Sequence, residues 1–154
     1  MTRAFVGLGS NLGDREATIL RSLARLQAEP ELRVVRVSTL RETDPVGYAD
    51  QPRFLNGVVE LETELPARAL LGRLLTVERN LGRTRGEGPP LGPRTIDLDL
   101  LLYGDATIAE AGLQLPHPRL HERRFVLEPL AELAPDVVVP GHGPVGTLLA
   151  ELES

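Results

Sequence analysis

Cysteine, lysine and tryptophan are all absent from this 154-residue chain, and its 17 basic residues are all arginine. Without cysteine there is no disulfide framework, no thiolate metal centre and no cysteine nucleophile. Without lysine the Gly-Lys-Ser/Thr ending of a Walker P-loop cannot be written. An arginine-only basic set reflects genome composition and gives no argument for heat adaptation, whose proteome signal includes lysine enrichment. Aromatic residues make up 3% of the chain and the net charge is -5, which argues against a nucleic-acid surface of basic stripes and stacking rings. Any phosphate binding has to be local. No apolar run approaches a membrane span, and the start, Met1-Thr2-Arg3 before a short apolar stretch that breaks at Gly7, lacks the long apolar region of a signal peptide. These absences lead us to expect a soluble cytoplasmic protein with neither membrane nor nucleic acid as partner. The length fits one domain, residues 1–154, able to bury roughly two thirds of its unfolded surface.

Against this background residues 92–103, Gly-Pro-Arg-Thr-Ile-Asp-Leu-Asp-Leu-Leu-Leu-Tyr, stand out. They read as a strand in which side chains alternate faces. Asp97 and Asp99 then point one way with Leu101 and Tyr103, and Ile96, Leu98, Leu100 and Leu102 point the other. A pair of carboxylates on a stiff support suits Mg²⁺, which takes hard oxygen ligands, keeps several waters and shares the phosphates of a substrate. Arg94, just ahead of the strand, offers a planar fork that grips phosphate bidentately. On the motif alone a second reading stands beside this one: the two acids only solubilise the exposed face of an antiparallel strand.

The rest of the chain alternates short apolar strands with amphipathic helices. Ala4 to Leu8 reads as a buried strand, followed by a glycine-rich turn and by Asp14 as a helix N-cap. The helix runs to the stop at Pro30. Leu32 to Leu40 and Phe54 to Thr63 read as strands, separated by a loop from Thr43 to Pro52. Pro66 opens a second helix that ends near Gly82, and a second loop, Arg83 to Leu91, precedes the acidic strand. A short strand at Ala106 to Ile108, a helix from about Arg124 to Leu133, and a minor strand and helical turn complete the chain. The order strand, helix, strand, strand, helix, strand predicts an α+β, ferredoxin-like split β-α-β fold with helices on one face of a mainly antiparallel sheet. Loops as long as these two are either closures over a ligand or tolerated insertions.

Three other features carry less. Gly7, Gly9 and Gly13 miss the G-x-G-x-x-G spacing by one residue. His117 is held between two prolines with Arg123 six positions on, which serves either a phosphate contact or a solvated loop. His117, His121 and His142 lack metal-ligand spacing.

Taken together, Gly9 to Asp14, Phe54-Leu55-Asn56, Gly92 to Asp99, and Pro116-His117 with Arg123 and Phe125 resemble the 2-amino-4-hydroxy-6-hydroxymethyldihydropteridine pyrophosphokinase family of folate biosynthesis, over nearly the whole chain. The resemblance implies transfer of the terminal diphosphate of ATP to the hydroxymethyl group of a reduced pterin, with release of AMP. It implies two Mg²⁺ ions held by Asp97 and Asp99, Arg83 and Arg94 as catalytic cations, and His117 and Arg123 on phosphates. Arg85 and Glu78 would lie near the nucleotide, with Leu71 and Leu100 near the adenine. The pterin would rest between Phe54 and Phe125, its edge on Asn56, in a pocket completed by Thr43, Asp44, Val46 and Gly47. Such a transfer needs alignment and charge neutralisation rather than a covalent intermediate. Four positions depart from the family pattern: Leu91 and Pro118 replace common aromatics, and Gly112 and Gln114 stand where some members offer Arg and Thr. A non-catalytic ferredoxin-like sensor and a metal-dependent phosphate hydrolase are the competing readings. The expected state is a monomer or weak homodimer.

Overall fold

The computed structural model describes residues 1–44, 52–82 and 96–153. Its elements follow the order read from the sequence. Strand β1 (Thr2–Ser10) leads to helix α1 (Arg15–Ala28), then to strands β2 (Leu32–Val37), β3 (Arg41–Thr43) and β4 (Phe54–Thr63). Helix α2 (Ala67–Asn80) and strand β5 (Asp97–Tyr103) follow, and a hairpin of β6 (Ile108–Glu110) and β7 (Leu113–Leu115) comes next. After a single 3-10 turn at Leu120–Glu122 come α3 (Arg124–Leu133), the two-residue strands β8 (Val138–Val139) and β9 (Gly143–Pro144), and α4 (Val145–Glu153). Local chemistry sets these limits. Asp14 Oδ1 accepts the Ala17 amide at 3.1 Å and so caps α1, satisfying one of the orphan donors of a helix start. Pro66 immediately precedes α2 with φ -60° and ψ 156°, so it serves as the cap itself rather than as the first helical residue.

The main sheet runs β2-β4-β1-β5, with β3 also pairing β4, and every pairing is antiparallel. That is the strand order of the ferredoxin-like fold, as the element order predicts. Alternation along β1 sorts the core into two halves. Ala4, Val6 and Leu8 pack with Ile19 and Leu26 of α1 and Leu70, Leu74 and Val77 of α2. Phe5 points the other way, into a cluster with Val58, Leu101, Leu102, Leu127, Leu130, Val145 and Leu148. The expectation of a single helical face therefore holds for α1 and α2, whereas α3 and α4 cover part of the opposite face. Burying apolar side chains on both sides contributes about 25 cal/mol for each Å² removed from water.

Two further differences from the sequence reading each have a local reason. The segment from Leu32 to Leu40 does not form one strand. The chain bends at Ser38, whose amide donates to the Val58 carbonyl and whose hydroxyl accepts the Val58 amide, both at 2.9 Å. Leu40 and Ser38 then cross Gly57, where a Cβ would lie 2.7 Å from Leu40 Cδ2. The second difference lies in β5. Strict alternation would keep Leu102 with Leu98 and Leu100, but the register against β1 shifts between Phe5 and Val6, so Val6 faces Leu100 while Phe5 faces Leu102. Leu101 is the extra residue of a β-bulge. It puts Leu101 and Leu102 together in the second cluster and returns Tyr103 to the first. The bulge lies beyond the acid pair, which keeps its regular spacing.

Candidate active site

One half of the second sheet face is filled by α3 and α4. The other half carries a row of residues fixed by strand register. Gly9 of β1 sits directly between Asn56 of β4 and Asp97 of β5, Gly7 lies beside Asp99, and Thr43 of β3 lies beside Phe54. Directly opposed residues share a face, so Thr43, Phe54, Asn56, Gly9, Gly7, Asp97 and Asp99 all look out from the same side of the sheet. Glycine inside a strand loses stability and marks a place where another group approaches closely. A Cβ on Gly9 would lie 2.9 Å from Asn56 Oδ1, 3.8 Å from Phe54 Cδ1 and 3.9 Å from Asp97 Cβ. The absent side chain is thus a notch with an amide on one wall and a carboxylate on the other. Asn56 Nδ2 donates to the Thr43 hydroxyl, which fixes the amide so that its oxygen turns toward the notch.

Asp97 and Asp99 are half-buried, while Ile96, Leu98 and Leu100 around them are buried in the first core. The amide of Leu98, between the two acids, donates to Glu78 Oε2 at 2.7 Å. Glu78 comes from α2 and is 1% exposed. Among the described residues no three His, Cys, Asp or Glu side chains gather to hold a metal. Two carboxylates at alternate positions, opposed by glycines instead of bulky side chains, fit a cation that needs hard oxygens yet keeps room for waters and phosphate. They do not fit a metal that demands a closed protein cage.

The loop ahead of α3 brings the third group. The His117 amide donates to the Leu101 carbonyl of β5 at 2.9 Å, which pins the loop against the acidic strand. Burial pushes the imidazole pKa below its usual value, the charges of Arg123 and Arg119 push it further the same way, and Asp97 opposes them. The neutral ring accepts the Arg119 amide on Nδ1 at 3.3 Å, which leaves its proton on Nε2. Arg123 lies with its guanidinium 5.5 Å from the Phe125 ring centroid, within cation–π range. Phe125 itself packs against the second core.

The structure therefore sets Thr43, Phe54, Asn56, Asp97 and Asp99 on one sheet face, with His117, Arg123 and Phe125 on the loop and helix that border it. Asp44 ends the described part of its loop and pairs with Arg53 at 3.2 Å. Leu71 and Leu100 belong to the first core, on the side of β5 away from the acid pair, and Glu78 meets the strand at the Leu98 amide. Val46, Gly47, Arg83, Arg85, Arg94 and Leu91 lie outside the described residues. Sequence reasoning missed the role of Gly9. Its signal was present, as two glycines at alternate positions of an otherwise apolar strand. It also missed Arg15, which donates to the Arg53 carbonyl at 2.9 Å and to Glu42 Oε1 at 2.6 Å and so clasps α1 to the ends of β3 and β4.

A ferredoxin-like sheet that leaves half of one face to an amide, a paired carboxylate, an imidazole and a guanidinium is a scaffold for a small, polar, anionic ligand. The chain belongs to the 7,8-dihydro-6-hydroxymethylpterin-pyrophosphokinase family, whose profile matches residues 5–135. It is 46% identical over 153 residues to the 2-amino-4-hydroxy-6-hydroxymethyldihydropteridine pyrophosphokinase of Methylorubrum extorquens, covering 99% of this chain and 95% of that one. It is 47% identical over 134 residues to the enzyme of the same name from Bacillus subtilis, covering 87% of this chain and 79% of that one. Among solved structures, wild-type HPPK-DHPS of Plasmodium falciparum superposes with a TM-score of 0.76 at 15% identity, over 98% of this chain and 44% of that one. This chain thus spans under half of that longer protein, and the likeness is one of fold. The relatives carry the name of an enzyme, and the reading as a non-catalytic sensor finds no support among them.

Proposed function

We propose that this chain transfers the diphosphoryl group of ATP to the hydroxymethyl group of 6-hydroxymethyl-7,8-dihydropterin, releasing AMP and the pterin diphosphate, a step toward tetrahydrofolate. Family membership supplies the reaction. The observation in this chain that supports it is Gly9 set between Asn56 and Asp97, an amide able to meet the edge of a flat heterocycle beside a carboxylate able to hold a phosphate-bound cation. Asp97 and Asp99 would hold Mg²⁺, which when bound supplies charge neutralisation at the phosphates and a Lewis acid beside the attacking oxygen.

The remaining work falls to side chains. Asn56, held by Thr43, presents its oxygen to donors on the pterin edge, and Phe54 and Phe125 offer apolar surface for the ring. Asn56 and Asp97 flank β1 on its two sides, which supports a reading in which the sheet itself would align the attacking hydroxyl with the phosphorus. That alignment replaces the entropy loss of a bimolecular encounter, an effect reaching about 7–11 kcal/mol in well-oriented systems. His117 stays neutral in the free site, donates from Nε2, and takes up a proton more readily once anionic phosphate arrives beside it. The Arg123 guanidinium stabilises the developing negative charge. Arg83, Arg94 and Arg85 belong to this reading as further phosphate-binding cations, and Val46 and Gly47 as pocket backbone. No side chain is needed as a covalent nucleophile.

The test is direct. Protein, ATP and Mg²⁺ are incubated with and without the reduced hydroxymethylpterin, and nucleotides are separated by chromatography. AMP formed only with the pterin supports the transfer. Release of ADP or AMP without it would instead mark a phosphate hydrolase and end this reading.

A further inference from the structure

Glu78 is buried in two unfavourable ways at once. It is 1% exposed, so its carboxylate has lost its water, and it sits in the last turn of α2, where the helix dipole opposes a negative charge. Solubility does not account for an acid there. Among its contacts is a short hydrogen bond: the Leu98 amide donates to Oε2 at 2.7 Å.

The position of that amide matters. Among the described strands, β5 pairs with β1 alone and forms the edge of the main sheet. In an antiparallel pair successive amides point alternately to the neighbour and away from it, and Leu98, opposite Leu8, sends its amide outward. Leu98 lies between Asp97 and Asp99. Any roll of the edge strand about its own axis turns both acids together, so a clamp on the residue between them governs the aim of the pair. The clamp is rigid at its other end, because Leu70, Leu74 and Val77 anchor α2 in the first core.

We infer that Glu78 is the positioning residue of the acid pair, acting through the Leu98 amide to aim both carboxylates at the divalent cation. This rests on the reaction proposed above. It differs from a nucleotide contact by Glu78, which the family resemblance suggested, and from a purely structural role. A metal site depends on such supporting bonds as much as on its ligands.

The experiment uses the full chain without nucleotide or pterin. Amide hydrogen exchange is measured by NMR in wild type, Glu78→Gln and Glu78→Ala, and Mn²⁺ alone is titrated in, read by paramagnetic broadening around residues 97–99. Glu78→Ala is expected to lose at least about tenfold of the protection at Leu98 while Val59 keeps its own, and to bind Mn²⁺ about tenfold more weakly. Glu78→Gln keeps an acceptor for the amide and is expected to hold both values within about threefold of wild type. Should Glu78→Ala fail to fold, Glu78→Asp, one methylene short of the amide, carries the same expectation. Unchanged Mn²⁺ affinity in the alanine variant, or equal weakening in the glutamine variant, overturns the inference. Both readouts precede turnover, so they fail separately from the AMP assay.

Discussion

Replacing Gly9 by alanine separates the stability of the fold from the function of the site. The backbone there is ordinary extended strand, so alanine meets no conformational penalty, and the loss of chain entropy in the unfolded state stabilises by about 0.4–1 kcal/mol. The new methyl group would sit 2.9 Å from Asn56 Oδ1, inside any normal contact. The amide must swing away, and in doing so it gives up its bond to Thr43, at a net cost of about 0.5–1.5 kcal/mol. The two effects nearly cancel, and denaturant unfolding should register a change of no more than about 1 kcal/mol. Pterin recognition has no such compensation. A polar edge left without its partner costs about 1–3 kcal/mol, or roughly 5- to 150-fold in kcat/KM for the pterin, while the KM for ATP stays within about twofold. The assay is steady-state AMP formation with each substrate varied in turn, alongside urea unfolding. A folded Gly9→Ala protein with wild-type kcat/KM for the pterin would refute the notch as the pterin floor. A loss of stability above about 3 kcal/mol would refute the packing argument.

Three further outcomes follow from the same geometry. Asp97→Asn, which keeps the shape and removes the charge, should lower turnover by about 10³-fold or more at saturating ATP, with an unchanged circular dichroism spectrum; near-normal turnover would remove the acid pair from the mechanism. His117 should titrate by NMR below the ordinary value of about 6.5 in the free protein, owing first to burial, and shift upward when a non-hydrolysable ATP analogue binds. Because the unfolded chain takes up this proton first as pH falls, His117 should lower stability below about pH 6.5 and leave it unaffected above that, levelling off beneath the folded pKa; His117→Gln should flatten that stretch of the stability curve. Asp14→Ala removes the cap on Ala17 and should cost about 1 kcal/mol, seen as a melting temperature lower by about 2–4 °C with activity retained.

What the sequence determined by itself was whatever depends on near neighbours. Asp14 as a cap, the strand from Phe54 to Thr63, the helix from Arg124 to Leu133 and the shared face of Asp97 and Asp99 all follow from side-chain period and end chemistry over a few residues. The order of those elements was sufficient for the ferredoxin-like topology, since short antiparallel connections leave few alternatives. Tertiary structure decided the rest, because it depends on which residues meet across strands. The bulge at Leu101 is invisible in an unbroken run of leucines, since any of them can be the extra residue; only packing against Phe5 selects it. Helices on both sheet faces follow from Phe5 and Val58, two buried side chains on the face that alternation alone would leave to water. Gly9 becomes a notch only because register sets Asn56 on one side and Asp97 on the other. Glu78, on a helix 20 residues from Leu98, meets the acidic strand only once α2 has docked.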